Sequence, residues 1–138
     1  MSFATIPCMV LAAGRGERMR PLTDHTPKPL LKVQGKTLLD WHLGNLQANG
    51  ASNVVINHAW LGEQIIAHTQ TIHFPQFHIA LSKEKIALET AGGIRQALPL
   101  LNPEDYFFVI NGDIFCPTFP FSKVPIIVDR LRPKLNAQ

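Results

Sequence analysis

Chemistry enters this sequence at residues 11–31, LAAGRGERMRPLTDHTPKPLL, where Gly14 and Gly16 are followed by Arg15, Arg18, Arg20 and Lys28 on a path set by Pro21, Pro27 and Pro29. Glycines let a backbone approach a ligand closely, and consecutive N–H groups can surround phosphate oxygens. An arginine fork and a lysine point charge add positive charge where a phosphate is most negative. The pattern predicts an anion site in which Arg18 and Lys28 supply the charge. Arg15, Glu17 and Arg20 read equally well as solvated loop charges. A second feature is Asp113 in NGD (111–113), a carboxylate that closes the apolar run from Tyr106 to Ile110. It is suited to holding Mg²⁺ carried in with phosphates, although Asn-Gly and Gly-Asp are also ordinary turn pairs.

Competing motifs fail on single positions. The dinucleotide fingerprint GxGxxG would need a glycine where Met19 stands, and the second strand ends in Asn57 rather than in an acidic ribose ligand. GKT at 35–37 has Leu30 where a P-loop requires its first glycine. The six histidines show no metal spacing; His42 and His68 fall in predicted helices, His73 and His78 near a loop and a strand, and all read as packing or surface residues. Cys8 and Cys116 form neither a CxxC pair nor a disulfide pattern. ETAGG (89–93) is either a plain helix start or a stretch small enough for a flat base to lie against its backbone.

The elements that must position these residues alternate. Apolar runs predict strands at 6–13, 52–58, 76–82 and 105–113. Helices are predicted at 38–50, with Thr37 as N-cap and Asp40 three residues on, at 61–69 and at 90–101. Strands that are apolar on both faces and separated by helices indicate a Rossmann-like α/β fold, a mostly parallel sheet flanked by helices. In such sheets ligands bind beyond the carboxyl ends of the strands, where strand order reverses. If the fourth strand lies beside the first, Asp113 faces the glycine loop across that crevice.

Composition narrows the function classes. The 138 residues are 46% hydrophobic and 17% charged, the balance of a globular domain with a core. The net charge of +3 is uneven, with six basic and two acidic side chains in residues 15–36. That is a local positive site, without the broad basic face and interleaved aromatics of a nucleic-acid binder. The chain contains no apolar run near the roughly 18 residues of a membrane helix, and its N-terminus lacks a basic n-region. The expectation is a cytoplasmic protein with neither nucleic acid nor membrane as partner.

Taken together, LAAGRGERMRPLT, PKPLL and NGD resemble the sugar-phosphate nucleotidyltransferase family, and NHAWLG and LETAGGI are most similar to its N-acetylmuramate α-1-phosphate uridylyltransferases, a group of peptidoglycan recycling. The resemblance runs from about residue 7 to residue 115 and more weakly onward. It implies a nucleotide-diphospho-sugar transferase fold of which this chain carries the N-terminal part. Residues 1–115 would be the nucleotide-binding domain, and the Pro-rich segment 116–138 the start of the sugar-binding half. FSKVPIIVDRLRPKLNAQ looks like the family's next helix, and the chain looks truncated after its first half.

The resemblance also implies roles residue by residue. The backbone of Ala12, Ala13 and Gly14 would face the base, and Gly16 and Arg18 would embrace the triphosphate. Lys28 would contact the phosphates at the reacting centre, Ser82, Glu84 and Gly92 would lie at the base or ribose, and Asp113 would be the first Mg²⁺ ligand. The implied reaction is attack of a sugar 1-phosphate oxygen on the α-phosphorus of a nucleoside triphosphate, UTP being favoured, with release of pyrophosphate. Its nucleophile is already an anion, in keeping with the lack of a His or Cys catalytic group. A chain of this length is also compatible with a nucleotide-binding regulatory module that performs no transfer, with a mannose or glucose 1-phosphate enzyme, and with pairing of two copies through an open sheet edge.

Overall fold

The computed structural model describes residues 3–72 and 77–136. Ten regular elements follow along the chain: β1 (Cys8–Leu11), β2 (Lys32–Val33), β3 (Lys36–Thr37), α1 (Leu38–Ala48), β4 (Asn53–His58), α2 (Gly62–Thr71), β5 (His78–Lys83), α3 (Thr90–Leu101), β6 (Phe108–Asn111) and α4 (Val124–Asn136). Four of the strands form a sheet in the order β5-β4-β1-β6, and every pairing is parallel. β6 does lie beside β1, with Leu11 opposite Asn111. On the other side Leu11 is opposite Asn57.

The unbroken apolar reading of β1 and β4 has a direct cause, because both faces of the sheet are covered. Cys8, Val10, Val54 and Ile56 pack with Leu39, Leu43 and Leu46 of α1 and Ile65 of α2. The alternate residues Met9 and Val55 pack with Ala97 and Leu101 of α3 on the opposite face. Each buried Val, Leu, Ile or Met among them contributes about 1.5–3 kcal/mol of hydrophobic stabilisation. Phe121 joins the first core, and its ring meets Phe3 and Phe108 edge-on.

Local signals set the helix ends. The Thr37 hydroxyl oxygen accepts the Asp40 N–H at 3.0 Å, the cap expected at that position. Asp40 also contacts His68 Nε2 at 2.8 Å, which ties α1 to α2.

The strands are shorter than their apolar runs. β1 stops at Leu11 because the Ala12 N–H leaves the ladder and donates to the Asn57 side chain at 2.7 Å. β6 starts at Phe108, whose N–H reaches the Pro7 carbonyl at 2.9 Å. Gln76, which opens the expected third strand, and His73 lie outside the described residues. The β2–β3 hairpin was not expected. Gln34 and Gly35 both have positive φ, 53° and 77°, and make the tight reversal that two-residue hairpins favour. Trp41 is half-buried: it donates from Nε1 to the Val33 carbonyl at 2.9 Å and meets Phe115 edge-on.

β6 pairs on one side only among the described residues. Apolar side chains near the end of the chain, including Ile114, Ile126 and Ile127, are exposed. No described helix is long and apolar enough to cross a membrane.

Candidate active site

The chain segments that leave the carboxyl ends of β1 and β6 face one another across a cleft of ≈ 510 Å³. One side is the backbone of Ala12, Ala13, Gly14 and Gly16. The far wall is the segment 88–91, which enters α3. Lys28, Asn111 and Asp113 line the charged end. A second cleft of ≈ 480 Å³ opens at the amino ends of the same strands, beside Asn53, His78 and Glu104. Size does not separate the two. The first has a cation, a glycine loop and the N-terminus of α3, all favourable to an anion.

The glycine loop is held from behind. Gly16 has φ 69°, and a Cβ there would come within 2.8 Å of Thr23 Cγ2. Thr23 is fully buried, and its hydroxyl donates to the Gly16 carbonyl at 2.6 Å. Arg15 stacks on Trp60, 3.8 Å from the ring centroid, and donates to the Thr23 carbonyl at 3.3 Å. Trp60 Nε1 donates to the same carbonyl at 3.0 Å. Arg20 hydrogen-bonds Asp24 at 2.7 Å. That bond is the main reason the Asp24 carboxyl sits below its ordinary value, with Arg15 adding to it. Arg15 and Arg20 therefore serve the scaffold. Arg18 is exposed on the short turn Glu17–Met19 and is not among the lining residues.

Lys28 and Asp113 meet across the cleft, Nζ to Oδ2 at 3.2 Å, from positions 85 residues apart. Their side chains are 24% and 46% exposed. A pair so open to water contributes about 0–1 kcal/mol, so incoming phosphates and a metal ion can separate it at little cost. Buried His42 lies beneath this turn. Burial lowers its pKa, while the Ile114 backbone and the Asp113 charge oppose that shift, and its Nε2 has no hydrogen-bond partner among the described residues.

Ser82, Glu84 and Gly92 stand behind the cleft rather than among its lining residues. Ser82 is buried opposite Asn57 in the β4–β5 register. Glu84 is buried and accepts hydrogen bonds from Asn57 and Leu88. Gly92 lies four residues after Leu88, whose Cβ would be 3.2 Å from a Cβ at 92. The site thus offers backbone amides, a lysine and a carboxylate, and no paired nucleophile and base. That inventory suits the binding and positioning of phosphate groups.

A family model described as "Nucleotidyl transferase" matches residues 8–127. The chain belongs to the nucleotidyl transferase family. It is 58% identical over 107 residues to the N-acetylmuramate alpha-1-phosphate uridylyltransferase of Neisseria meningitidis, an alignment covering 77% of this chain and 46% of that protein. To the Caulobacter vibrioides protein of the same name it is 43% identical over 116 residues, covering 82% and 48%. The chain spans about half the length of these relatives. Among solved structures, HddC from Yersinia pseudotuberculosis complexed with GMP-PN superposes with a TM-score of 0.73 at 25% identity, over 91% of this chain and 54% of that one. UDP-glucose pyrophosphorylase complexed with UDP-glucose superposes at 0.75 with 19% identity, over 95% and 54%, a likeness of fold.

In this member of the family, six of the residues singled out from sequence line one cleft: Ala12, Ala13, Gly14, Gly16, Lys28 and Asp113. Asn57, Asn111 and Thr23 were not among the expected site residues, whereas the 88–91 wall overlaps ETAGG (89–93), for which a helix start and a base-binding stretch were both open. Asn57 and Asn111 carry a signal that was available, since Asn57 is the penultimate residue of β4 and Asn111 the last of β6, polar positions following apolar runs, as Asp113 nearly is. Thr23 carries none, because its role depends on a carbonyl seven residues away in a loop.

Proposed function

We propose that the cleft binds UTP with Mg²⁺, and that the protein to which this chain corresponds moves UMP onto N-acetylmuramate α-1-phosphate with release of pyrophosphate. The observation that carries this reading is the convergence of the glycine loop, Lys28 and Asp113 on one cleft at the carboxyl ends of a parallel sheet. The identity of base and sugar rests on the 58% and 43% likeness to proteins named for that uridylyl transfer. In this reading residues 1–115 bind the nucleotide and 116–138 begin the sugar-binding part, the setting is cytoplasmic peptidoglycan recycling, and two copies pair through the open edge of β6.

The chemistry asks for positioning. An oxygen of the sugar 1-phosphate bonds to the α-phosphorus, the bond from that phosphorus to the β-phosphate bridge breaks, and the electron pair leaves with pyrophosphate. Lys28 draws its charge away from Asp113 to the phosphates and reduces the repulsion between the two anions. The amides of the glycine loop fix the triphosphate, and the backbone at Ala12–Gly14 faces the base. Arg18 grips the triphosphate only if the Glu17–Met19 turn swings toward the cleft.

Among the described residues there is no cluster of three metal-ligating side chains. One half-exposed carboxylate, Asp113, fits an ion that arrives on phosphates and keeps several waters. When bound, Mg²⁺ supplies positive charge to the phosphate oxygens. The test is incubation with UTP, Mg²⁺ and N-acetylmuramate α-1-phosphate, with pyrophosphate measured. Release that requires both substrates supports transfer. Saturable UTP binding without pyrophosphate favours the second reading, a nucleotide-binding module.

A further inference from the structure

Two buried polar side chains, Asn57 and Glu84, have no part in the proposed chemistry. They are 4% and 2% exposed, and polar groups at that depth require complete hydrogen bonding. Their bonds form one continuous relay. The Ala12 N–H donates to Asn57 Oδ1 at 2.7 Å, Asn57 Nδ2 donates to Glu84 Oε2 at 3.0 Å, and the Leu88 N–H donates to Glu84 Oε1 at 2.9 Å. Ala12 and Leu88, the two ends of the relay, line the cleft from opposite walls. Asn57 therefore joins the end of β1, across β4, to the segment that opens α3. Space for the relay depends on Gly93, where a Cβ would come 2.9 Å from Asn57 Nδ2 and 3.1 Å from Glu84 Oε2.

We propose that Asn57 and Glu84 form a latch that fixes the width of the base-binding end of the cleft, and that both are positioning residues for nucleotide recognition. The proposal rests on the reading of this cleft as a nucleoside triphosphate site. With the latch broken, the 88–91 wall samples other distances from the Ala12–Gly14 backbone. Apparent affinity then falls by the fraction of molecules in which the wall is in place. The charged end, built on Gly16, Lys28 and Asp113, is reached by other segments and keeps its hold on phosphates.

The relay has a defined polarity, and that polarity can be reversed. Asn57 must accept on one side and donate on the other, whereas Glu84 must accept twice. Asn57→Asp sets two carboxylates against each other. Glu84→Gln supplies one acceptor where two donors arrive. In the double variant N57D/E84Q, the amide at 84 donates to the carboxylate at 57, which still accepts from Ala12. The amide oxygen at 84 still accepts from Leu88.

The test is calorimetric titration of the full chain with UTP and, separately, with inorganic tripolyphosphate, both with Mg²⁺. Each single variant, and Gly93→Ala, is expected to weaken UTP by about tenfold or more. Tripolyphosphate should change by less than about twofold, and the double variant should recover UTP binding to within about threefold of wild type. Where a single variant does not fold, the double variant must recover folding and UTP binding together; if it recovers neither, the latch is overturned. Single variants that bind UTP as wild type does, or that lose UTP and tripolyphosphate in parallel with no rescue, also overturn it. A wild-type chain that binds tripolyphosphate but not UTP removes the nucleotide reading, and the latch with it. Wild-type UTP binding with insensitive variants removes the latch alone.

Discussion

Gly16→Ala should destabilise the protein by about 2–5 kcal/mol, the sum of two separable effects. Gly16 sits at φ 69°, where a residue bearing a Cβ is strained by about 1–2 kcal/mol. The new Cβ would also lie 2.8 Å from Thr23 Cγ2 and 3.3 Å from Lys28 Cβ. Thr23 is fully buried, and rotating it away would break its 2.6 Å bond to the Gly16 carbonyl, so the overlap adds roughly 1–3 kcal/mol. Thr23→Ser removes the offending methyl and keeps the hydroxyl. In the G16A background it should recover most of the overlap and leave the backbone strain. The assay is urea denaturation of wild type, both singles and the double, read as a double-mutant cycle. Gly14→Ala is the contrast: no described atom lies within 4 Å of its Cβ position and its φ is not in the positive range. Its stability should change by less than about 0.5 kcal/mol. A Gly16→Ala change under about 0.5 kcal/mol, or strict additivity with Thr23→Ser, would refute the reasoning.

Three further outcomes follow from other parts of the molecule. Lys28→Met should weaken UTP binding by about tenfold or more with little effect on urea stability, since its pair with Asp113 is worth at most about 1 kcal/mol; calorimetry and denaturation on the same samples check both halves. His42 and His58 are both held below the ordinary 6.5, by burial first in each case and by Lys83 also for His58. The unfolded chain therefore takes up protons before the folded one does. Stability should be constant above about pH 6.5 and fall as the pH drops below it, and His42→Leu or His58→Leu should flatten part of that slope in urea titrations run at several pH values. Burial pushes the Cys8 thiol from 9.0 up to about 12, whereas Cys116 is exposed. Iodoacetamide at pH 8 should label Cys116 alone in the native protein and both cysteines in denaturant, read by mass spectrometry.

Much of this architecture is written in short-range pattern. The apolar runs at β1 and β4 announce a sheet covered on both faces, and Val10 and Met9 do point to opposite cores. Thr37 and Asp40 mark a helix start through a bond spanning three residues. The glycine loop, Lys28 and Asp113 could be gathered because their residue types are chemically unusual where they occur. What stayed hidden depends on distant partners. The Ala12–Asn57 and Asn57–Glu84 bonds span 45 and 27 positions, and no local pattern says which polar group meets which. Asn57 was legible only as a residue that is not an acid, although its place near the end of an apolar strand has the same meaning as that of Asp113. Arg15 resembles a phosphate ligand until Trp60 is seen beneath it. The β2–β3 hairpin, with two residues in each strand, is too short for periodicity to register.

The central claim is that the cleft at the carboxyl ends of the strands, and not the similar one at their amino ends, receives the nucleotide. A titration of ¹⁵N-labelled protein with UTP and Mg²⁺, followed by amide NMR shifts, tests it most directly. Saturable shifts are expected at Gly14, Gly16, Ala91 and Asn111, with Asn53, His78 and Asn102 unmoved. Shifts concentrated at Asn53, His78 and Asn102, or no saturable shifts at all, would contradict it.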